Sequence, residues 1–348
     1  MTLPSIDLDY LQLFLVGLLN TPSPTGFTDA AIKFTEETLA KFPNIKLSRT
    51  RKGALLVALP GRQHDAPRAL TSHVDTLGAM VKEIKPNGRM RLTQLGGFSW
   101  NSVEGEGCTI FTSDDRKYRG SILIDKASVH VYGRQADLKR EDETMEIRLD
   151  EVATTHDQVR LLGIDVGDFV AFDPRTEVIN NFVRSRHLDD KASVACLIAA
   201  AKALADAGLQ PEQDTYMLIS NFEEVGHGAA AGIPDEVTEL VVVDMAAIGD
   251  GQTSDEFHAS LCVKDTGGPY HHGLSQHLRQ LADANQIPYK VDIYPHYGSD
   301  GEAFWSAGGN VAVALIGPGV DASHHYERTH LDALDATTRW VLAYLLSE

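Results

Sequence analysis

The stretch "LISNFEEVGHG", Leu218 to Gly228, decides how this chain is read. Its apolar start has the character of a buried strand, yet it stops at two adjacent carboxylates, Glu223 and Glu224, followed by valine, glycine and histidine. Buried negative charge is costly unless something pairs with it. Strands buried on both faces belong to helix-flanked, mostly parallel sheets, and such sheets bind ligands beyond the carboxyl ends of their strands. The segments "TYMLISNFEE", "ELVVVDMA" and "NVAVALIGPG" read as strands of that kind, and "KASVACLIAAAKALADAG" as an alanine-rich helix ended by Gly208. Earlier in the chain, "DAAIKFTEETLAKF" has helical spacing, while "GALLVALPG" and "RALTSHVD" look like strands. The expected fold class is α/β, with a mostly parallel helix-flanked sheet.

Between these two α/β regions the texture changes. "MVKEIKPNGRMRLTQLGG", "GCTIFTSDDRKYRGSILI", "SVHVYG", "TMEIRLDEVA" and "GDFVAFDP" read as short strands separated by turns, and Asn87-Gly88 is a strong hairpin signal. The predicted organisation is a catalytic domain of residues 1–75 and 175–348, interrupted by a small β-barrel-like domain of residues 76–174. A chain of 348 residues is long enough for such a pair.

Composition narrows the function classes. Hydrophobic residues make up 43% and are spread along the chain, with no apolar run of the roughly 18 residues needed to cross a membrane. The N-terminus carries Asp7 and Asp9 and no basic region, so it reads as an amphipathic helix rather than a secretion signal. Three widely spaced cysteines, Cys108, Cys196 and Cys262, suggest reduced thiols and a cytoplasmic protein. A formal charge of −18 repels nucleic acid and anionic membranes, so neither is expected as a partner.

Polar residues gather at the ends of the expected core elements. His73 and Asp75 end "RALTSHVD", Asp244 ends "ELVVVD", Asp189 and Asp190 stand before the alanine-rich helix, and His324 and His325 follow "VALIGPGVDAS". Taken singly, each has an ordinary explanation: a turn, a helix cap, a solvated loop or a histidine-rich surface segment. Together they form an imidazole and carboxylate set of the kind that Zn²⁺, Co²⁺ or Mn²⁺ accepts. Metal-assisted hydrolysis is the chemistry they point to.

The chain resembles the tetrahedral, or deblocking, aminopeptidases, cocatalytic metallopeptidases also called glutamyl aminopeptidases or endoglucanase-M-like proteins. The resemblance runs through "SHVDTLGAMVKEIKPNGRMRLTQLGGF", "VGDFVAFDP", "RHLDDKAS", "FEEVGHGAAAG", "VVVDMA", "YGSDGEA" and "DASHHYERTHLDAL", nearly the full length. It implies two divalent ions per subunit, zinc first, with cobalt or manganese as alternatives. By the same resemblance His73 and Asp244 would hold one ion, Glu224 and His324 the other, and Asp189 would bridge them. Glu223 would be the general base and Asp75 would orient the ring of His73. Many relatives end in His-Ser-Pro-x-Glu where this chain has "SHHYERTH", which leaves His325 and His330 as alternatives to His324. That ending is also similar to the branch associated with synthesis of the osmoprotectant N-acetylglutaminylglutamine amide.

The implied activity is removal of N-terminal residues from peptides, by a homo-oligomer that could be a tetrahedral dodecamer joined through the β insertion. A carboxypeptidase or N-deacylase on the same fold is the nearest alternative. A glycosidase is remote, because its two carboxylates flank a bond at about 5–9.5 Å, which neighbours in one strand do not do. The glycine-rich segments "KDTGGPYHHG" and "HYGSDGE" offer His272, Tyr297 and Asp300 as candidate substrate contacts.

Overall fold

The computed structural model describes residues 2–134 and 138–348. The chain forms two compact units, one made of the residues up to Asp75 together with Arg175–Glu348, the other of Thr76–Pro174.

The first unit is built on a nine-stranded sheet. Its order is Lys46–Arg49, Leu55–Leu59, Gln213–Ser220, Gln63–His73, Glu239–Val243, Ala312–Val320, Ala259–Lys264 and Tyr289–Ile293, with the short strand Ala246–Ala247 beside Ala312–Val320. The four central strands, from Gln213–Ser220 to Ala312–Val320, run parallel. Antiparallel pairs join Leu55–Leu59 to Gln213–Ser220 and Ala259–Lys264 to Ala312–Val320, so the sheet is mixed. Leu70, Met217, Ile219, Val241, Val243, Ala314 and Ile316 are buried in its centre. Each contributes roughly 1.5–3 kcal/mol over an exposed position, less for the alanine.

The helix Leu188–Ala207 packs against the sheet and against the helices Leu8–Leu19 and Leu331–Leu345. Its many alanines allow close approach on every face, and it ends as expected at Gly208, whose left-handed φ of 64° suits a residue without a side chain. The first two aspartates of this segment, Asp189 and Asp190, are not helical in φ and ψ. They lead into the helix without following its winding, so their side chains are not fixed by its register.

Register decides where the polar residues go. Ser220 lies opposite His73, Val242 opposite Thr71, and Val243 opposite Ile316. The parallel strands therefore end almost level, and His73, Asn221 and Asp244 emerge at one edge.

The second unit is a closed six-stranded barrel in the order Gly78–Ile84, Met90–Leu95, Met145–Leu149, Lys117–Ile124, Gly107–Phe111, Phe169–Phe172. Asn87-Gly88 makes its first hairpin, with Gly88 at φ 75°. Ile110, Ile122, Ile147, Val170 and Trp100 fill the interior. The segment "SVHVYG" departs from expectation: Val129–Tyr132 is a single helical turn, not a strand. Val129 and Val131 are both exposed, and an alternating pattern makes a strand only where one face has something to pack against.

Candidate metal centre

His73 is the last residue of Gln63–His73 and is fully buried. Its Nδ1 lies 2.9 Å from the main-chain carbonyl of Asp75, which leaves Nε2 aimed at a group of carboxylates. Nε2 is 3.2 Å from Asp189 Oδ1 and 3.5 Å from Glu223 Oε2. The other oxygen of Asp189, Oδ2, lies 3.3 Å from His324 Nε2, and that nitrogen is 3.6 Å from Glu224 Oε2. One donor atom each from His73, Asp189 and Asp244 fall within 4.8 Å of one another. The structure thus gathers His73, Asp189, Glu223, Glu224, Asp244 and His324 in one place. Of the three histidines in "SHHYERTH", His324 faces this group. His330 instead caps the helix Leu331–Leu345, with its Nδ1 accepting from Asp332 N, and packs its ring on Phe182 and Phe257.

Asp75 serves both His73 and the glutamate pair. Its carboxylate lies 3.5 Å from His73 Nδ1, while its main-chain carbonyl, at 2.9 Å, is the nearer acceptor for the ring. The carboxylate accepts the N–H groups of Glu223 and Glu224 at 3.1 and 3.2 Å and the Thr25 hydroxyl at 2.7 Å. It anchors the start of the turn Glu223–Val225, which is a 3₁₀ turn and not the frayed end of a strand. With about three residues per turn, neighbouring side chains diverge by roughly 120°, so Glu223 turns toward His73 while Glu224 turns toward His324.

Further supports were not legible as site residues. Glu327 is buried and accepts the N–H groups of Asp189 (3.1 Å) and His324 (3.0 Å), tying two of the converging loops together. Asp190 accepts from the Ser72 hydroxyl at 2.6 Å and sits under His73. Lys52 donates to the carbonyls of His227 and Gly228 and lies over the Phe222 ring, which stacks on His227.

The candidate substrate residues are divided. Tyr297 lines the cavity, its hydroxyl donating to Met245 O at 2.9 Å. Asp300 is buried away from the lining and accepts from Ser220, from Ala229 N at 2.7 Å and from Thr71 at 3.3 Å. It braces the opening stretch, and a Cβ at Gly228 would stand 2.3 Å from its Oδ1, which accounts for the glycine there. His272 is exposed at the start of the helix His272–Ala284, outside the lining.

The cavity holds about 730 Å³, and among the described residues no lysine or arginine lines it. Burial, then Asp189, pushes Glu224 up to about 8 and Asp244 up to about 7. Burial also drives Glu223 well above the carboxylate range, reinforced by Asp244, Asp300 and Glu224. Asp189 goes the other way: against its burial, hydrogen bonds from His324 and His73 hold it below the ordinary value. The two imidazoles offset only part of this buried carboxylate charge, and a multivalent cation is the natural partner for a donor set of imidazoles and carboxylates. The residues fit a divalent metal.

Parallel central strands carrying such a donor set at their ends fit a metal-dependent hydrolase. The chain belongs to the M42 glutamyl aminopeptidase family, whose model matches residues 53–340. It is accordingly a metallopeptidase of the aminopeptidase type. It is 48% identical over 331 residues to the putative aminopeptidase YhfE of Bacillus subtilis, with 95% of each chain covered. Among solved structures, the aminopeptidase APDkam598 of the archaeon Desulfurococcus kamchatkensis has a TM-score of 0.86 at 21% identity, covering 97% of this chain and 94% of that one. The Pyrococcus horikoshii TET1 peptidase, described as assembling into a tetrahedron or a large octahedral shell, has a TM-score of 0.85 at 20% identity, covering 97% and 100%. These two show the shared fold.

Proposed function

We propose that the protein is a dinuclear metal-dependent aminopeptidase that removes N-terminal residues from peptides. One observation carries the dinuclear reading: the two oxygens of Asp189 face different histidines, His73 on one side and His324 on the other. A carboxylate so placed can serve two ions. His73 and Asp244 would complete the first position, and Glu224 and His324 the second. Zinc suits this mixed nitrogen and oxygen set, with cobalt or manganese as substitutes. Bound divalent ions would supply Lewis-acid polarisation of the scissile carbonyl and a lowered pKa for the attacking water.

The protein's own groups do the rest. Glu223 reaches the cavity without being needed as a ligand, so it takes a proton from the attacking water and returns it to the departing amine, a role worth about 10²–10⁴-fold. Asp75 keeps Glu223 and Glu224 in their separate directions through their N–H groups. Residues 1–75 and 175–348 carry this chemistry. The barrel of residues 76–174 would serve assembly and access in a homo-oligomer, for which the shells described for the TET1 peptidase are the support. Three buried cysteines without disulfides agree with a cytoplasmic setting.

The test is hydrolysis of free-amine peptides beside N-acetylated and C-terminally varied ones, before and after dialysis against a chelator. Free-amine peptides should be cleaved from the N-terminus, chelation should abolish the activity, and Zn²⁺, Co²⁺ or Mn²⁺ should restore it. Cleavage confined to C-terminal residues or acyl groups would mark a carboxypeptidase or deacylase. Full activity in verified metal-free protein would exclude the metal centre.

A further inference from the structure

We infer that Glu302 makes this cavity selective for peptides whose N-terminal residue is basic, an inference that rests on the aminopeptidase reading above. Away from the metal centre the cavity wall is made largely of small residues. Glu302 and Ala303 from the first turn of the helix Asp300–Ser306, and Ser306 and Ala307 a turn later, share one face of that segment. Gly226, Ala230 and Ala247 add no bulk. Such a wall leaves room for a long side chain and offers little polarity to its stem.

Charge decides which long side chain. Among the described residues, Glu302 is the one carboxylate of the lining beyond the four gathered at the metal centre, and no lysine or arginine opposes it. Lys52, which reaches the 226–228 turn, is committed to the carbonyls of His227 and Gly228. Among the described residues of the wall away from the metal centre, an acidic side chain would find no basic group but His227 and His296. A lysine or arginine would lay its stem along the small residues and set its cation against Glu302, a charge-assisted contact.

Glu302 packs closely against main chain. A Cβ at Gly267 would stand 1.7 Å from its Oε1 and one at Gly298 3.3 Å from its Oε2, so the carboxylate lies beside both glycines, with Oε1 on the buried side. Beside it lies buried Asp265, which accepts from the Tyr270 hydroxyl and, at 3.1 Å, from Gly267 N. Lys264, whose ammonium donates to the Asp265 carbonyl at 2.6 Å, is the cation nearby, so the three side chains sum to a single negative charge when all are ionised. Burial and Asp265 push Glu302 up to about 7, so an arriving cation has a proton to displace and a charge to meet.

The experiment compares kcat/KM for lysyl, norleucyl and glutamyl anilides, with metal-loaded wild type, Glu302→Gln and Glu302→Lys. Norleucine keeps the stem of lysine and lacks its ammonium. Wild type should prefer lysine to norleucine by about tenfold or more, and prefer it to glutamate by a larger factor. Glu302→Gln should bring the lysine-to-norleucine ratio close to one, and Glu302→Lys should turn the preference toward glutamate. Norleucine or glutamate cleaved as well as lysine by wild type would overturn the inference, with no variant needed. So would an unchanged ratio in a Glu302→Gln protein with wild-type metal content and melting temperature. Failure of wild type to cleave any of the free-amine anilides would instead overturn the aminopeptidase reading on which the inference stands.

Discussion

Glu223→Gln is expected to lower kcat by about two or more orders of magnitude while the protein keeps its full metal content. The amide preserves the volume of the side chain and can still accept a hydrogen bond. It cannot take a proton from water and hand it to the leaving amine. Metal analysis beside single-turnover kinetics checks both halves of this expectation. Glu224→Gln should separate from it, because a neutral amide is a poorer ligand than a carboxylate. Its activity should fall together with metal content on the His324 side, and added metal should restore part of the rate. Loss of metal in Glu223→Gln with retention in Glu224→Gln would reverse the two roles.

Asp189→Asn is expected to have the largest effect. Each oxygen of Asp189 faces one histidine, so exchanging one oxygen for an NH₂ group removes a ligand from one ion and the bridging charge from both. Metal binding should weaken at both positions at once, and activity should fall by more than about a hundredfold even at metal concentrations that rescue Glu224→Gln. Asp189 N and its partner Glu327 are untouched by the change, so the fold should survive. Retained secondary structure and a cooperative melt are the control. An Asp189→Asn protein with normal stoichiometry and rate would show that the bridging role is wrong.

Much of this site could be read from the sequence because it is assembled at the ends of regular elements. The parallel strands announce themselves by continuous apolar runs, and a carboxylate or histidine directly after such a run stands out. That is how His73, Glu223, Glu224 and Asp244 were legible, and the structure gathers them at one sheet edge. The supports were not legible, because each acts through main-chain groups whose positions depend on folding. Nothing in "SHHYERTH" says that Glu327 accepts the N–H groups of residues 138 and 3 positions earlier. Asp75 illustrates the same limit. Its position after His73 suggests a ring partner, and only the fold shows that its carboxylate also accepts from a turn 148 positions away. The different directions of Glu223 and Glu224 come from a 3₁₀ turn, which the apolar run before them does not announce. "SVHVYG" departs from a strand because its alternating valines have no surface to cover.

The central claim is a two-ion centre organised by Asp189. Anomalous diffraction from crystals grown with saturating Zn²⁺ tests it most directly, since it gives the number of ions and their ligands in one measurement. The account predicts two anomalous peaks per chain on either side of Asp189, one also bound by His73 and Asp244, the other by Glu224 and His324, with Glu223 bound to neither. A single peak at saturating metal, or a second peak held by residues other than Glu224 and His324, would contradict it.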